Sequence, residues 1–189
     1  MSSENYSRQR VLITAITPQL ILLGISMLWI FLFPKFSILG YLKFKLVPII
    51  VGFFVGFALA FAGYGFYRFS KKTKKFYETV ELFEEMLSPT FKGLRLIDIV
   101  LLSCVAAFCE EIFFRGLLQK AFGIVIASIG FGMLHLPGLK FWIYALWATL
   151  SGVLFGVLFN ISGSLWLPIT AHSVNNIIGM ILLSKLKNQ

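Results

Sequence analysis

Charge is what this chain has least of. Of its 189 residues, 13% are Asp, Glu, Lys or Arg, and only 8 of those are acidic. With 58% hydrophobic residues and a mean hydropathy of +0.87, too little polar surface remains to clothe a water-soluble domain. The chain therefore reads as a membrane protein. A helical span takes roughly 20 apolar residues to cross about 30 Å of hydrocarbon, so the length fits one compact helical membrane domain. Cysteine is also scarce. Cys104 and Cys109 lie five apart in one apolar run, so on a helix they diverge and cannot bridge, and both read as small buried hydrophobes. There is no repeat of fixed period and no low-complexity segment. The first apolar run is too long for a signal-peptide core and lacks a small-x-small cleavage site, so it is expected to stay as a span. A net charge of +9 does not imply nucleic acid, because the basic residues fall between apolar runs, as juxtamembrane charges do. The polar surface is too small for phosphate contacts, and no nucleic-acid partner is expected.

What is present is a series of apolar runs. Val11 to Phe33, Leu46 to Tyr67, Leu96 to Leu118, a shorter Ala121 to Leu136, Phe141 to Phe159 and Leu165 to Leu183 predict about six spans, an all-α polytopic bundle. Gly52-x-x-x-Gly56 and Gly152-x-x-x-Gly156 suit close helix contact, within one chain or between two. Between the second and third spans lies the densest basic cluster, Arg68 to Lys75. It leads into Phe76, Val80, Phe83 and Leu87 at helical spacing, with Glu78, Glu81 and Glu85 off that stripe. This predicts an amphipathic helix at the membrane surface, stopped by Ser88-Pro89. A partner-docking helix is the weaker reading, because the polar face is acidic. We divide the chain into a two-span region with the amphipathic helix, 1–90, and a four-span core, 91–189. With six spans both termini share a side. That side carries the larger share of Lys and Arg, Arg8 and Arg10 included, so the positive-inside tendency puts the termini and the amphipathic helix in the cytoplasm.

Against this background Cys109-Glu110-Glu111-Ile112-Phe113-Phe114-Arg115-Gly116 stands out, with three ionisable side chains inside an apolar run. A carboxylate removed from water costs several kcal/mol unless paired or protonated. The chain has two histidines, His135 and His172, and both lie in apolar runs. One buried histidine is usually structural; two, with a glutamate pair in a third run, point to one shared site. Glu111 and Arg115 at i and i+4 stack on one face and can pair. Glu110 sits about 100° around the helix and stays free. Phe131 and His135 repeat the i, i+4 spacing, so the ring can limit the imidazole's orientation, and so do His172 and Asn176. Pro168, four before His172, is expected to loosen the hydrogen bond to Ser164 and bend the helix toward a cavity. A base, two imidazoles and an amide donor are what water activation and oxyanion stabilisation need. Cys109 and Ser173 are poor nucleophile candidates, since adjacent helical residues diverge and any base would have to come from another helix.

Glu110-Glu111-x-x-x-Arg115, Phe131-x-x-x-His135 and His172-x-x-x-Asn176, in that order, resemble the CAAX-protease and bacteriocin-processing (Abi, CPBP) family of intramembrane proteases over roughly residues 95 to 185. The resemblance implies an endopeptidase acting on a membrane-associated peptide or protein. In it, Glu110 with His135 activates water, His172 and Asn176 stabilise the oxyanion, and Glu111 and Arg115 support the helix. Members are commonly called metalloproteases, and a metal-free glutamate mechanism has also been proposed. Glu110, His135 and His172 could supply three ligands to Zn2+ or act without metal. A non-catalytic immunity or scaffold protein of the same fold is the alternative from a different class, and an ion transporter a third, disfavoured because the other spans lack acidic residues. One geometric demand follows. Glu110 lies about 14 residues or 21 Å along its span at 1.5 Å per residue, whereas His135 ends the returning one. The turn near Lys120 must therefore lie below the far surface, or the helix must tilt, with a cavity open to the cytoplasm.

Overall fold

The computed structural model describes residues 7–73 and 76–186. Lys74, Lys75 and Lys187 of the basic clusters, and the polar stretch 1–6, lie outside the described residues. Every regular element among the described residues is helical. In order these are α1 (Arg8–Leu32), α2 (Leu46–Ser70), α3 (Tyr77–Glu81), α4 (Ser88–Lys92), α5 (Leu96–Glu111), α6 (Gln119–Leu134), α7 (Trp142–Ser162) and α8 (Trp166–Ser184). Short 3₁₀ turns and two π-turns join them. Four helices are long and apolar enough to cross a membrane: α1, α2, α7 with its leading turn, and α8. By that measure the spans number four where six apolar runs were expected. The two runs that fall short are α5 and α6, whose α-helical parts are 16 residues each. Large apolar side chains are exposed on the outer faces of these helices, Leu20, Phe31, Phe53, Phe54 and Ile161 among them.

The shortfall at α5 and α6 is where the site is made. Instead of one straight span, the chain continues from Glu111 through a seven-residue π-turn, Ile112–Leu118, and breaks inside α6 at Gly123. There φ is 86°, a region open to glycine and strained for other residues. Beyond Gly123 the chain folds back on itself, so that Phe131 stacks edge-on against Phe114 at 5.2 Å. Glu110 lies 13 residues before Gly123 and His135 12 after it, which returns the two to one depth. This meets the geometric demand, with the turn at Gly123 and not at Lys120.

The remaining helices pack through small residues. α2 and α8 run parallel and touch at backbone distance: a Cβ on Gly52 would sit 2.6 Å from the Leu167 carbonyl oxygen, and one on Gly56 would collide with that of Ala171. Gly152 and Gly156 likewise face Ser128, Arg115 and Gln119. Both Gly-x-x-x-Gly pairs are thus used within this chain. α1 lies parallel to α5, and Arg8 forks onto Asp98 with two bonds of 2.6 Å. Arg8, counted above among the basic residues of the termini's side, is also an interhelical tie.

Two local expectations are corrected. Pro168 lies in the first turn of α8, where its missing N–H has no intrahelical partner to lose, so it does not bend the helix. Ser88-Pro89 does not stop the surface helix either. The helical path from Tyr77 runs on to Lys92, because a π-turn at Leu82–Leu87 widens the helix just ahead of the proline ring.

Candidate active site

Glu110 and Glu111 are adjacent, buried and differently employed. Glu111, fully buried, is held on both oxygens: Oε2 lies 3.1 Å from Arg115 Nε, and Oε1 accepts from His172 Nδ1 at 2.9 Å. The expected i, i+4 pair is therefore formed, and it extends to an imidazole. Arg115, 1% exposed, also donates to the Gly152 carbonyl at 3.0 Å and lies 4.6 Å over the Phe131 ring. Nothing here touches solvent.

Among the described residues no Lys or Arg forms an ion pair with Glu110. Its Oε1 accepts from Gln19 Nε2 of α1 at 2.9 Å, and its Oε2 is buried without a hydrogen-bond partner. That oxygen faces Nε2 of His135 at 4.0 Å and Nε2 of His172 at 3.9 Å. Two hydrogen bonds of about 2.8 Å meeting at one water span such a gap. The tautomers follow from the partners. His135 Nδ1 lies 2.8 Å from the Phe131 carbonyl, which can only accept, so the proton is on Nδ1 and Nε2 presents a lone pair. His172 Nδ1 faces a carboxylate, with the same result for its Nε2 when neutral. The Phe131 ring lies 4.5 Å from His135 and 5.6 Å from His172, and Phe155 stacks on His172 at 5.0 Å, so both imidazoles are walled in place.

Asn176 is one turn beyond His172 on α8. Its Oδ1 accepts from Asn175 Nδ2 at 3.2 Å, which leaves the Asn176 amide N–H free to donate. Glu110, His135 and Asn176 all open on a cavity of about 450 Å³. Apolar residues from α1, α2, α5, α7 and α8 form most of its wall, and the surface segment covers it with Thr79, Phe83, Leu87 and Phe91, four residues apart in turn. This segment is fastened by Glu84, which accepts from Tyr67 Oη at 2.5 Å and pairs with Lys71 at 2.7 Å, and by Glu81 paired with Lys140. Desolvation pushes the Glu84 carboxyl up, and the hydrogen bonds from Lys71 and Tyr67 outweigh it, holding the group below its ordinary range.

The donor set Glu110, His135 and His172 is of the kind zinc takes, but the spacing is wide. Ligand atoms about 2.0–2.1 Å from a tetrahedral ion stand about 3.3–3.4 Å apart, against 3.9 and 4.0 Å here. Among the described residues no group of three His, Cys, Asp or Glu is close enough to hold an ion. As arranged, the three do not fit a zinc centre.

Six of the seven residues singled out in the sequence are joined by the contacts above, with Phe131 as wall and Arg115 as prop, and Asn176 lines the same cavity as Glu110 and His135. Sequence reasoning missed Gln19 and Tyr144, whose ring lies 6.3 Å from that of His135 in the same cavity. Gln19 carried a signal, as the lone carboxamide in the first apolar run. Tyr144 had none.

The surroundings of this site have relatives. Residues 92–178 match the family model described as Rce1-like, type II CAAX prenyl endopeptidase. The uncharacterized protein YpbD of Bacillus subtilis (strain 168) is 37% identical over 76 residues, so the match spans about two fifths of either chain, 40% of each. No solved structure matches. The segment 92–178, which contains Glu110, Glu111, Arg115, His135, His172 and Asn176, is thus similar to the Rce1-like, type II CAAX prenyl endopeptidase family.

Proposed function

We propose that the chain is an intramembrane endopeptidase that hydrolyses a peptide bond of a membrane-associated peptide or protein. The observation that carries this is the free Oε2 of Glu110, buried at the cavity floor within one water's span of two imidazole nitrogens. Glu110 takes a proton from water as the oxygen attacks the scissile carbonyl, with His135 Nε2 accepting from the same water. The oxyanion is met by the Asn176 amide, and by His172 when doubly protonated. Collapse breaks the C–N bond, and the proton held by Glu110 passes to the leaving amine. Glu111 and Arg115 keep His172 and the π-turn in place. In this reading the end carrying the start of α1 and the end of α8 faces the cytoplasm, by the positive-inside tendency.

Purified protein in detergent or liposomes, incubated with membrane-anchored peptides, is expected to yield products that vanish in Glu110→Ala and His135→Ala. Cleavage unaffected by both variants overturns the proposal, and a partner-binding activity that survives Glu110→Gln and His172→Ala would favour the immunity or scaffold reading. Elemental analysis with a chelator arm tests the metal question: full turnover in metal-free protein fits the spacing described, whereas stoichiometric zinc with chelator-reversible loss replaces the water step drawn here.

A further inference from the structure

α1 lies outside the matched segment 92–178, yet it reaches the candidate base. Gln19 Nε2 donates to Glu110 Oε1 at 2.9 Å, and among the described residues no other side chain hydrogen-bonds that carboxylate. The two oxygens are therefore divided, one tethered from α1 and one left facing the imidazoles. A glutamate turns about three side-chain bonds, so without a tether this division is not fixed. Packing does not explain a glutamine here, because a leucine or methionine would fill the space without leaving the buried Gln19 Oε1 unpartnered.

The register of α1 is set at its other end. Arg8 and Gln19 are 11 residues apart, three turns to within about 20°, so one face of α1 carries both. On the parallel α5 their partners Asp98 and Glu110 are 12 apart, a matching rise of about 16–18 Å at 1.5 Å per residue. The two-bond fork of Arg8 on Asp98 thus holds α1 at the height that brings Gln19 to Glu110.

We infer that Gln19 is a positioning residue for Glu110, tethering Oε1 so that Oε2 faces the water between His135 and His172. The inference rests on Glu110 acting as the base. In Gln19→Met, which keeps length and apolarity but removes the donor, kcat is expected to fall about 10- to 100-fold, as for partners that orient a catalytic group, with KM within about twofold. A purely structural glutamine would leave kcat unchanged, and that result overturns the inference. A second measurement needs no substrate. In a thermal-unfolding cycle of Gln19→Met, Glu110→Met and the double variant, the shifts in Tm are expected to be non-additive, because either change removes the same contact. Additive shifts overturn the inference even if the protein is a protease. A wild type that cleaves nothing, with a non-additive cycle, overturns the hydrolase reading and leaves the tether in place.

Discussion

Two adjacent glutamates on one helix should respond to the same isosteric change in opposite ways. In Glu111→Gln the buried Arg115 loses its carboxylate and keeps the Gly152 carbonyl and the face of Phe131. Breaking a buried pair from one side costs about 3–5 kcal/mol, since the remaining charge is left uncompensated. At about 2–4 °C per kcal/mol for a chain of this size, Tm should drop on the order of 10 °C. In Glu110→Gln no such cost arises. Gln19 can still donate to the new amide oxygen, and the new NH2 group faces two nitrogen lone pairs at about 4 Å. Stability should stay within about 1 kcal/mol of wild type, while peptide cleavage is lost. Unfolding in detergent, followed by the fluorescence of the four tryptophans, reads the stability half, and a peptide-cleavage assay reads the other. Equal losses of Tm in the two variants, or a larger loss in Glu110→Gln, would refute the division of roles drawn from the geometry.

The helix contacts and the surface segment give two more. Gly56→Ala should destabilise by about 1–3 kcal/mol, an overpacking cost, and also lower turnover, because the new Cβ meets Ala171 next to His172; Gly65→Ala, with open space at that position, should do neither, and thermal unfolding with an activity assay separates them. Since the folded-state pKa of Glu84 is depressed, its hold on the surface segment is present above the ordinary carboxylate range and is lost as pH falls through that lowered value. Amide hydrogen exchange across 77–92, expressed as protection relative to the intrinsic rate at each pH, should therefore be strong at neutral pH and weak in acid, and Glu84→Gln should weaken protection at neutral pH; protection independent of both pH and the substitution would refute the fastening.

The helical architecture was legible because nothing but helices meets the needs of apolar runs of this length. The meeting of Glu110, His135, His172 and Asn176 was legible because polar side chains in apolar runs are costly enough to be there for a reason. Three features were not. The turn at Gly123 could not be told from any other glycine, since its conformation depends on where the returning helix must land. The tie between Arg8 and Asp98 joins residues 90 apart, each of which alone reads as a surface charge. Pro89 inside a helix required a π-turn ahead of it, and Leu82–Leu87 has no sequence mark that distinguishes it from an α-helix. Gln19 lies between these cases, anomalous by composition but without a visible partner until α1 is set beside α5.

The close seam between α2 and α8 bears on how the protein is made. Of the described helices, α8 is the last to leave the ribosome, and it brings His172 and Asn176 with it. Its groove on α2, opened by Gly52 and Gly56, is synthesised more than a hundred residues earlier. A nascent chain inserted up to α7 therefore has Glu110 and His135 but no complete site. On the function proposed above, docking of α8 is at once a folding step and the moment at which hydrolytic capacity would begin.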